Sequence, residues 1–407
     1  MRRVVVIGAG AAGTMAAIFA AAGGAETILL ERTRDGGRKI LISGGGRCNV
    51  LPSELDESRF VTDSSANTLR KMVRSWPLAE QKRFFEEEVG LQLVEESESK
   101  KMFPASHKAR DVRDGLLHLA RRRGATIRFD TQVVDIRSND AGWTVACADA
   151  PAIDADAVIV ATGGLSVPMT GSDGIGLRVL DRLGHTMHTT YAALTPIVAS
   201  PPQYASLSGV SLTVTLTATS GTRTAAATGG FLFTHIGYSG PSVLDVSHVV
   251  VRSRAERDAS PARVAVQWTS LGDEEWSERL KPRGARTVLA ALRAELPDRL
   301  AAALIASANV SPDRVLSELQ REERLRLMEM LVRGPLPWTS DEGYKKAEVT
   351  GGGVSLAEVD PRTMESRRCP GLFVCGEVLD AFGPIGGYNF LWAWATGRAA
   401  GIGAACA

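Results

Sequence analysis

The run Val4-Val5-Val6-Ile7-Gly8-Ala9-Gly10-Ala11-Ala12-Gly13, followed by an Ala-rich apolar stretch and then Ile28-Leu29-Leu30-Glu31, leaves few folds open to this chain. A short β-rich segment running into G-x-G-x-x-G and a helix, then a second strand closed by an acid, is a dinucleotide-binding βαβ unit. Gly8 makes the sharp turn, Gly10 lets backbone approach a pyrophosphate, and Gly13 lets the helix press on the strand. Ala11 and Ala12 open that helix, whose unpaired N–H groups face the phosphates. Glu31, beside Arg32, stands where a carboxylate accepts hydrogen bonds from a ribose diol, as in FAD or NAD. Arg2-Arg3 before an apolar run also suits a signal peptide, but the glycines and the Glu31 strand argue against export. The apolar helical part is too short to span a bilayer, so a cytoplasmic protein without a membrane span is expected.

Composition narrows the partners. The chain has 47 Lys plus Arg against 46 Asp plus Glu, a formal charge of +1. Such a balance offers no global field for nucleic acid or anionic membrane, so the expected partner is a small-molecule substrate; oligomeric state stays open. Cys48, Cys147, Cys369, Cys375 and Cys406 are scattered and never form C-x-x-C, which suits a reduced protein. His185 and His188 are spaced i, i+3 but lack an acid cluster or third ligand, so no metal site is expected.

Residues 66–88 and 111–123 read as amphipathic helices, with short strands at 126–129, 132–137 and 143–147 forming a small meander. Ala157-Val158-Ile159-Val160 is an apolar strand returning to the parallel sheet. Character changes near residue 190, where the alternation of residues 210–217 marks a strand with one wet face. Phe231-Leu232-Phe233 and Val264-Ala265-Val266 add strands, and residues 285–331 turn to helical spacing. Leu372-Phe373-Val374-Cys375-Gly376-Glu377 then restores the strand-to-glycine pattern. The expected fold is α/β, a discontinuous Rossmann-like FAD-binding domain with an inserted antiparallel β-barrel-like module and a small helical module. Its divisions are 1–190 and 341–407 for the cofactor domain, 191–275 for the β-rich insertion and 276–340 for the helical one.

FAD needs a longer groove than NAD, built from several segments, and three more glycine-rich elements meet that need. Residues 38–49 bring Arg38, Lys39, Ser43, Gly44, Gly45, Gly46, Arg47, Cys48 and Asn49, two guanidinium groups and an ammonium among small residues whose N–H groups can face oxygen atoms. Thr162-Gly163 ends a strand beside the adenosine site, with Val133 counted among the cofactor residues. Gly376, Glu377 and Asp380 place carboxylates suited to ribityl hydroxyls. Gly386, Gly387, Tyr388 and Asn389 lead into an apolar helix whose N-terminus suits negative charge developing at the flavin pyrimidine edge.

These segments, with Phe233-Thr234-His235-Ile236-Gly237-Tyr238-Ser239-Gly240-Pro241, Gly352-Gly353-Val354-Ser355-Leu356 and Val359-Asp360-Pro361-Arg362-Thr363-Met364-Glu365-Ser366, resemble the bacterial BaiN-type flavoproteins, also called aminoacetone-oxidase-like. The resemblance runs in order along nearly the whole chain. It implies noncovalent FAD, an inserted β-barrel-like part and a helical part, and NAD(P)H-linked oxidoreductase activity with NAD(P)H as transient reductant.

Flavin chemistry needs a hydride at N5 and often one acid or base. His235, Tyr238 and Tyr388 are the catalytic candidates, each with a structural reading beside the functional one. Cys48 suits packing beside the cofactor better than redox catalysis, since no second cysteine lies near it in sequence. The leading expectation is a reductase passing hydride to an activated unsaturated small molecule. A flavin oxidase of a small amine or amino ketone, and a non-catalytic flavin redox sensor, are the alternatives.

Overall fold

The computed structural model describes residues 1–256 and 260–406. Two compact units share the chain, one of residues 1–192 with 348–407, the other of residues 193–347. No helix among the described residues is long and apolar enough to cross a membrane.

The first unit opens with β1 (Arg3–Ile7), α1 (Ala11–Ala22) and β2 (Glu26–Leu30). Residues 38–122 then form α2 (Arg38–Ile42), β3 (Leu51–Pro52), α3 (Ala66–Arg74), α4 (Leu78–Phe84), β4 (Leu93–Glu96), β5 (Lys101–Pro104) and α5 (Ala109–Arg122). The single helix expected over 66–88 is two: Ser65 caps α3, and Pro77, which has no N–H to donate, stands at the N-cap of α4. β6 (Thr126–Arg128) pairs in parallel with β2, so it is an edge of the main sheet and not part of the expected meander. The meander is instead β7 (Val133–Asn139), β8 (Gly142–Cys147) and β9 (Ile153–Ala155). β10 (Ala157–Val160), α6 (Ile175–Arg182) and β11 (Met187–Ala193) close this stretch.

The second unit holds β12 (Ile197–Val198), β13 (Ser211–Ser220), β14 (Arg223–Phe233), β15 (Gly237–Ser239), α7 (Pro241–Ala255) and β16 (Arg263–Gln267). It continues with α8 (Asp273–Arg279), α9 (Val288–Arg293), α10 (Asp298–Ser307), α11 (Arg321–Arg333), β17 (Gly334–Pro335) and β18 (Ser340–Asp341). Its seven strands lie in the order β17-β16-β13-β14-β15-β12-β18, paired antiparallel. The two edge strands are joined by residues 336–339 alone. Five extended steps reach roughly 17 Å, whereas seven strands laid flat span about 29 Å, so the sheet must curl. β13 alternates exposed or half-buried with buried residues, as its sequence does. Strand and helix side chains, among them Val214, Phe231, Trp268, Leu292 and Leu327, share one core.

The chain returns to the first unit with β19 (Val349–Val354), β20 (Leu372–Val374) and α12 (Tyr388–Cys406). β20 completes a parallel sheet in the order β20-β10-β1-β2-β6, with β1 in register Val4 to Ala157 and Val4 to Thr27. Val4, Val5 and Val6, like all of β10, are buried, as strands covered on both faces must be. α12 is small and apolar on most sides and lies tightly along α1. A Cβ at Gly397 would stand 2.3 Å from the Ala12 carbonyl oxygen, and one at Gly401 2.3 Å from that of Ala16.

Candidate functional site

All the expected cofactor residues fall in the first unit; Gly8, Glu31, Thr162 and Gly376 stand just past the C-terminal ends of β1, β2, β10 and β20, where open α/β sheets bind ligands. Gly8 has φ +101° and donates its N–H to Leu30 O at 2.8 Å, tying the first turn to the end of β2. A Cβ at Gly13 would stand 1.9 Å from the Gly8 carbonyl oxygen, so only glycine lets α1 begin this close to β1. Glu31 is buried, accepting from Ala9 N at 2.8 Å on one oxygen and from Thr33 N at 2.8 Å and Thr33 Oγ1 at 2.7 Å on the other. A carboxylate has about four acceptor positions, so one remains for a ribose hydroxyl.

The guanidinium groups counted among the cofactor residues are otherwise employed. Arg32 pairs with Asp173, Arg38 with Asp35 at 2.8 Å, and Arg47 with Glu96 at 2.9 Å while lying over the Phe103 ring. Lys39 alone turns inward, its Nζ 2.6 Å from Glu377 Oε2 and bonded to Ser166 Oγ. Ser166 Oγ in turn donates to Glu377 Oε1 at 2.6 Å, and Thr350 N donates to the same oxygen at 3.0 Å. Thr350 Oγ1 accepts from Leu165 N at 2.7 Å and Ser166 N at 3.1 Å, fixing the turn that follows Thr162 and Gly163. Sequence reasoning missed Ser166 and Thr350; they sit 184 residues apart, and no local pattern links them.

Asp380 is buried, and one of its oxygens is held by its own neighbourhood. Its Oδ2 accepts from Thr62 Oγ1 at 2.9 Å, from Asp63 N and Ser64 N at 2.9 Å each, and from Ser64 Oγ at 2.8 Å, with His188 Nε2 at 3.6 Å. Burial, the leading cause, raises its carboxyl above the usual range. The Asp380 side chain is 2% exposed and that of Glu377 18%, so Glu377 is the carboxylate open to a sugar chain. Tyr388 also serves structure: its hydroxyl accepts from Asp56 N at 3.2 Å and donates to Glu54 O at 3.4 Å, its ring packing on Phe60. Asn389 bridges Gly383 with two bonds of 2.9 Å, holding the loop before α12. Gly386 and Gly387 have φ +113° and +94°, and a Cβ at Gly387 would stand 2.4 Å from the Leu51 carbonyl carbon, so the helix is seated on β3.

Residues 43–49 show the shape of a cradle. Ser43 Oγ donates to Ile40 O at 2.8 Å, and a Cβ added at Gly45 would meet nothing within 4 Å, as would one at Gly10 above the first turn; at Gly46 only Leu41 O lies near, at 3.9 Å. Asn49 is buried, yet its Oδ1 has no hydrogen-bond partner. An unpaired buried acceptor costs about 1–3 kcal/mol, and an N–H or O–H of a bound flavin cofactor would satisfy it. The residues present therefore fit FAD. The Gly8–Gly13 turn and α1 would hold its pyrophosphate, Glu31 its adenosine ribose, and the Lys39, Ser166 and Glu377 group its sugar chain. Burial pushes the Cys48 thiol up to about 12, which leaves it an inert neighbour of this loop. Val133 is a buried residue beginning β7 beside a bulge.

The two remaining catalytic candidates lie in the second unit. Tyr238 is buried among Phe231, Phe233 and Tyr204, and its hydroxyl has no partner; burial raises its phenol far above the ordinary value. His235 is exposed in the turn between β14 and β15. In the first unit His185 is buried between Leu180 O at 3.0 Å and Ser366 Oγ at 2.8 Å. Among the described residues no cluster of three or more His, Cys, Asp or Glu is arranged to hold a metal ion.

The family described as HI0933-like protein Rossmann domain matches residues 2–403. The chain is 31% identical over 411 residues to a 3-dehydro-bile acid delta(4,6)-reductase of Clostridium scindens, covering 100% of this chain and 99% of that one. It is 29% identical over 404 residues to a ribosomal RNA dihydrouridine synthase of Escherichia coli, covering 96% and 95%. Among solved structures, a 3-ketosteroid-delta4-(5alpha)-dehydrogenase from Rhodococcus jostii shares the fold with TM-score 0.51 at 15% identity, over 99% of this chain and 96% of that one. A flavocytochrome c3 fumarate reductase shares it with TM-score 0.50 at 18% identity, over 99% and 78%.

Proposed function

The chain belongs to the HI0933-like protein Rossmann-domain family and is an FAD-dependent oxidoreductase, and from that premise we propose that it is an NAD(P)H-linked reductase of a carbon–carbon double bond conjugated to a carbonyl. What carries the reading is the full-length similarity to a reductase acting on a delta(4,6) bile acid and to a synthase of dihydrouridine. Both names denote addition of a hydrogen pair across such a bond.

FAD, when bound, supplies hydride transfer through its N5. The protein's part is to bind and orient. The Lys39 ammonium, the Ser166 hydroxyl and Thr350 N hold the Glu377 carboxylate in one orientation, so its one remaining acceptor position would meet the sugar chain at little entropic cost. The α12 N-terminus, braced by Tyr388 and Asn389, would offer its positive partial charge to the flavin edge where negative charge grows on reduction. There is no second G-x-G-x-x-G in the sequence; residues 171–174 turn into α6, and Arg32 is held across that turn by Asp173. A nicotinamide donor would therefore have to reach the flavin transiently, without a dinucleotide fold of its own.

A near-neutral surface suits a small neutral or weakly charged acceptor. Uridine within RNA is the second reading, favoured by relatives in Escherichia coli and Haemophilus influenzae at 29% identity. The test is to mix FAD-loaded protein anaerobically with NADH, NADPH or small amines and follow the oxidised flavin band. Rapid bleaching by a nicotinamide supports the reductase, bleaching by amines alone supports an oxidase, and neither supports a redox sensor. Reduced protein is then offered a small conjugated enone or a uridine-containing RNA. Reoxidation by RNA alone moves the assignment to the second reading.

A further inference from the structure

Lys101, which no motif singles out, lies beside the turn into α12, the helix whose N-terminus suits the flavin's pyrimidine edge. It opens β5 opposite Pro52 of β3, and its side chain shares a strand face with Phe103. That face is turned to the cofactor loop: the Phe103 ring edge lies 3.2 Å from the position a Cβ would take at Gly44, and Arg47 lies over the same ring. The Lys101 stem crosses the turn before α12, with Cε 3.6 Å and Cγ 3.9 Å from the Cβ position of Gly386. Its ammonium thus stands beside the first turn of α12. Lys101 is half-buried, and among the described residues its ammonium has no hydrogen bond or ion pair. The carboxylate opposite it in the strand pairing, Glu96, is already engaged by Arg47 at 2.9 Å and Ser99 at 2.6 Å.

A half-buried ammonium that makes no contact pair, and whose facing carboxylate Glu96 feels it but is already held by Arg47 and Ser99, has charge to spare for a visiting anion. The orphaned Asn49 Oδ1 belongs to the adjoining loop, so acceptor and cation both await the same occupant. We propose that Lys101 is a flavin-facing cation whose charge stabilises the reduced, anionic cofactor. Hydride from a nicotinamide becomes the N5–H of the flavin, the nicotinamide leaves as its oxidised cation, and the electron pair puts net negative charge on the N1–C2=O edge. A cation there favours the reduced form and draws electrons from the donor. The inference rests on FAD as the cofactor and is independent of the acceptor.

The experiment uses the full chain loaded with FAD, comparing wild type with Lys101→Met, Lys101→Gln and Lys101→Arg. Two readouts other than turnover are taken: the two-electron midpoint potential against a reference dye, and the dissociation constant of the flavin–sulfite adduct, an anionic species. Lys101→Met should lose at least tenfold in preference for reduced over oxidised FAD, a shift of about 30 mV to more negative potential. Its sulfite constant should weaken at least tenfold, with Lys101→Arg staying within about threefold of wild type by the linkage between charge and affinity. If Lys101→Met holds no FAD, Lys101→Gln is judged against Lys101→Arg by the same criteria. A neutral variant that keeps FAD with unchanged potential and sulfite affinity overturns the role of Lys101. A wild-type chain that takes up no FAD overturns the cofactor reading instead.

Discussion

Glu31→Ala should destabilise the protein even with no cofactor bound, and the size of that loss follows from what the carboxylate holds. Ala9 is fully buried, and its N–H at 2.8 Å has Glu31 Oε2 as acceptor; removing it leaves a buried donor unpaired, at about 2 kcal/mol. Thr33 N at 2.8 Å and Thr33 Oγ1 at 2.7 Å lose the other oxygen, but Thr33 is half-buried and water can replace part of that interaction, so about 1 kcal/mol more is lost. The sum, roughly 3 kcal/mol, corresponds to a fall of about 6–12 °C in the apo-protein Tm for a unit of this size. Thermal denaturation of the apo-protein by circular dichroism measures it, and Glu31→Gln, which keeps one accepting oxygen, should lose about half as much. Titration with FAD then isolates the ribose contact, expected to be worth about 1.4–2.8 kcal/mol, a roughly 10- to 100-fold weaker Kd. An apo Tm lowered by less than about 2 °C would show that the carboxylate does not hold the turn. Unchanged FAD affinity would refute its role at the ribose.

Gly397→Val places a branched side chain where even a Cβ would be 2.3 Å from the Ala12 carbonyl oxygen, so α12 must part from α1. We expect a loss above about 3 kcal/mol, read as low soluble yield or a Tm fall of at least 6 °C; a near-native Tm would contradict the packing. Tyr238→Phe removes a buried hydroxyl without a partner, so stability should stay level or rise by up to about 1 kcal/mol with turnover unchanged; a hundredfold loss of kcat would restore it as a catalytic candidate. Burial holds the His185 imidazole below its ordinary value, so the unfolded chain takes up its proton first as pH falls. Stability should therefore decline as pH drops below the unfolded histidine value of about 6.5 toward the lower folded one. His185→Gln should flatten that part of a Tm-against-pH curve, and an unaltered slope counts against the assignment.

Much of the cofactor domain is legible locally. Val4-Val5-Val6-Ile7 and Ala157-Val158-Ile159-Val160 form strands at the expected positions because uninterrupted small and β-branched apolar runs suit a sheet covered on both faces. The break between α3 and α4 escaped that reading: Pro77 marks it, but the apolar spacing of Leu69, Met72, Phe84 and Phe85 runs across it like one helix. Thr126–Arg128 carries no mark of its partner, and its parallel pairing with β2 is set by where α5 delivers it. Asp380 and Glu377 look equally suited to ribityl hydroxyls in sequence. Only the approach of residues 62–64 distinguishes them, by binding one Asp380 oxygen as that side chain is buried while Glu377 keeps some exposure.

By itself the sequence determined the βαβ unit, the acid that closes it, and the change from helix-and-parallel-strand to antiparallel character near residue 190. Those features rest on short-range physics: side-chain period, the steric room of glycine, and the unpaired N–H groups at a helix start. The tertiary structure alone decided which charges stay available. It neutralises Arg32, Arg38 and Arg47 with Asp173, Asp35 and Glu96, turns Lys39 onto Glu377, and leaves Lys101 unpaired beside α12. Pairing between charges depends on distances of a few ångströms between residues far apart along the chain, and folding alone sets those distances.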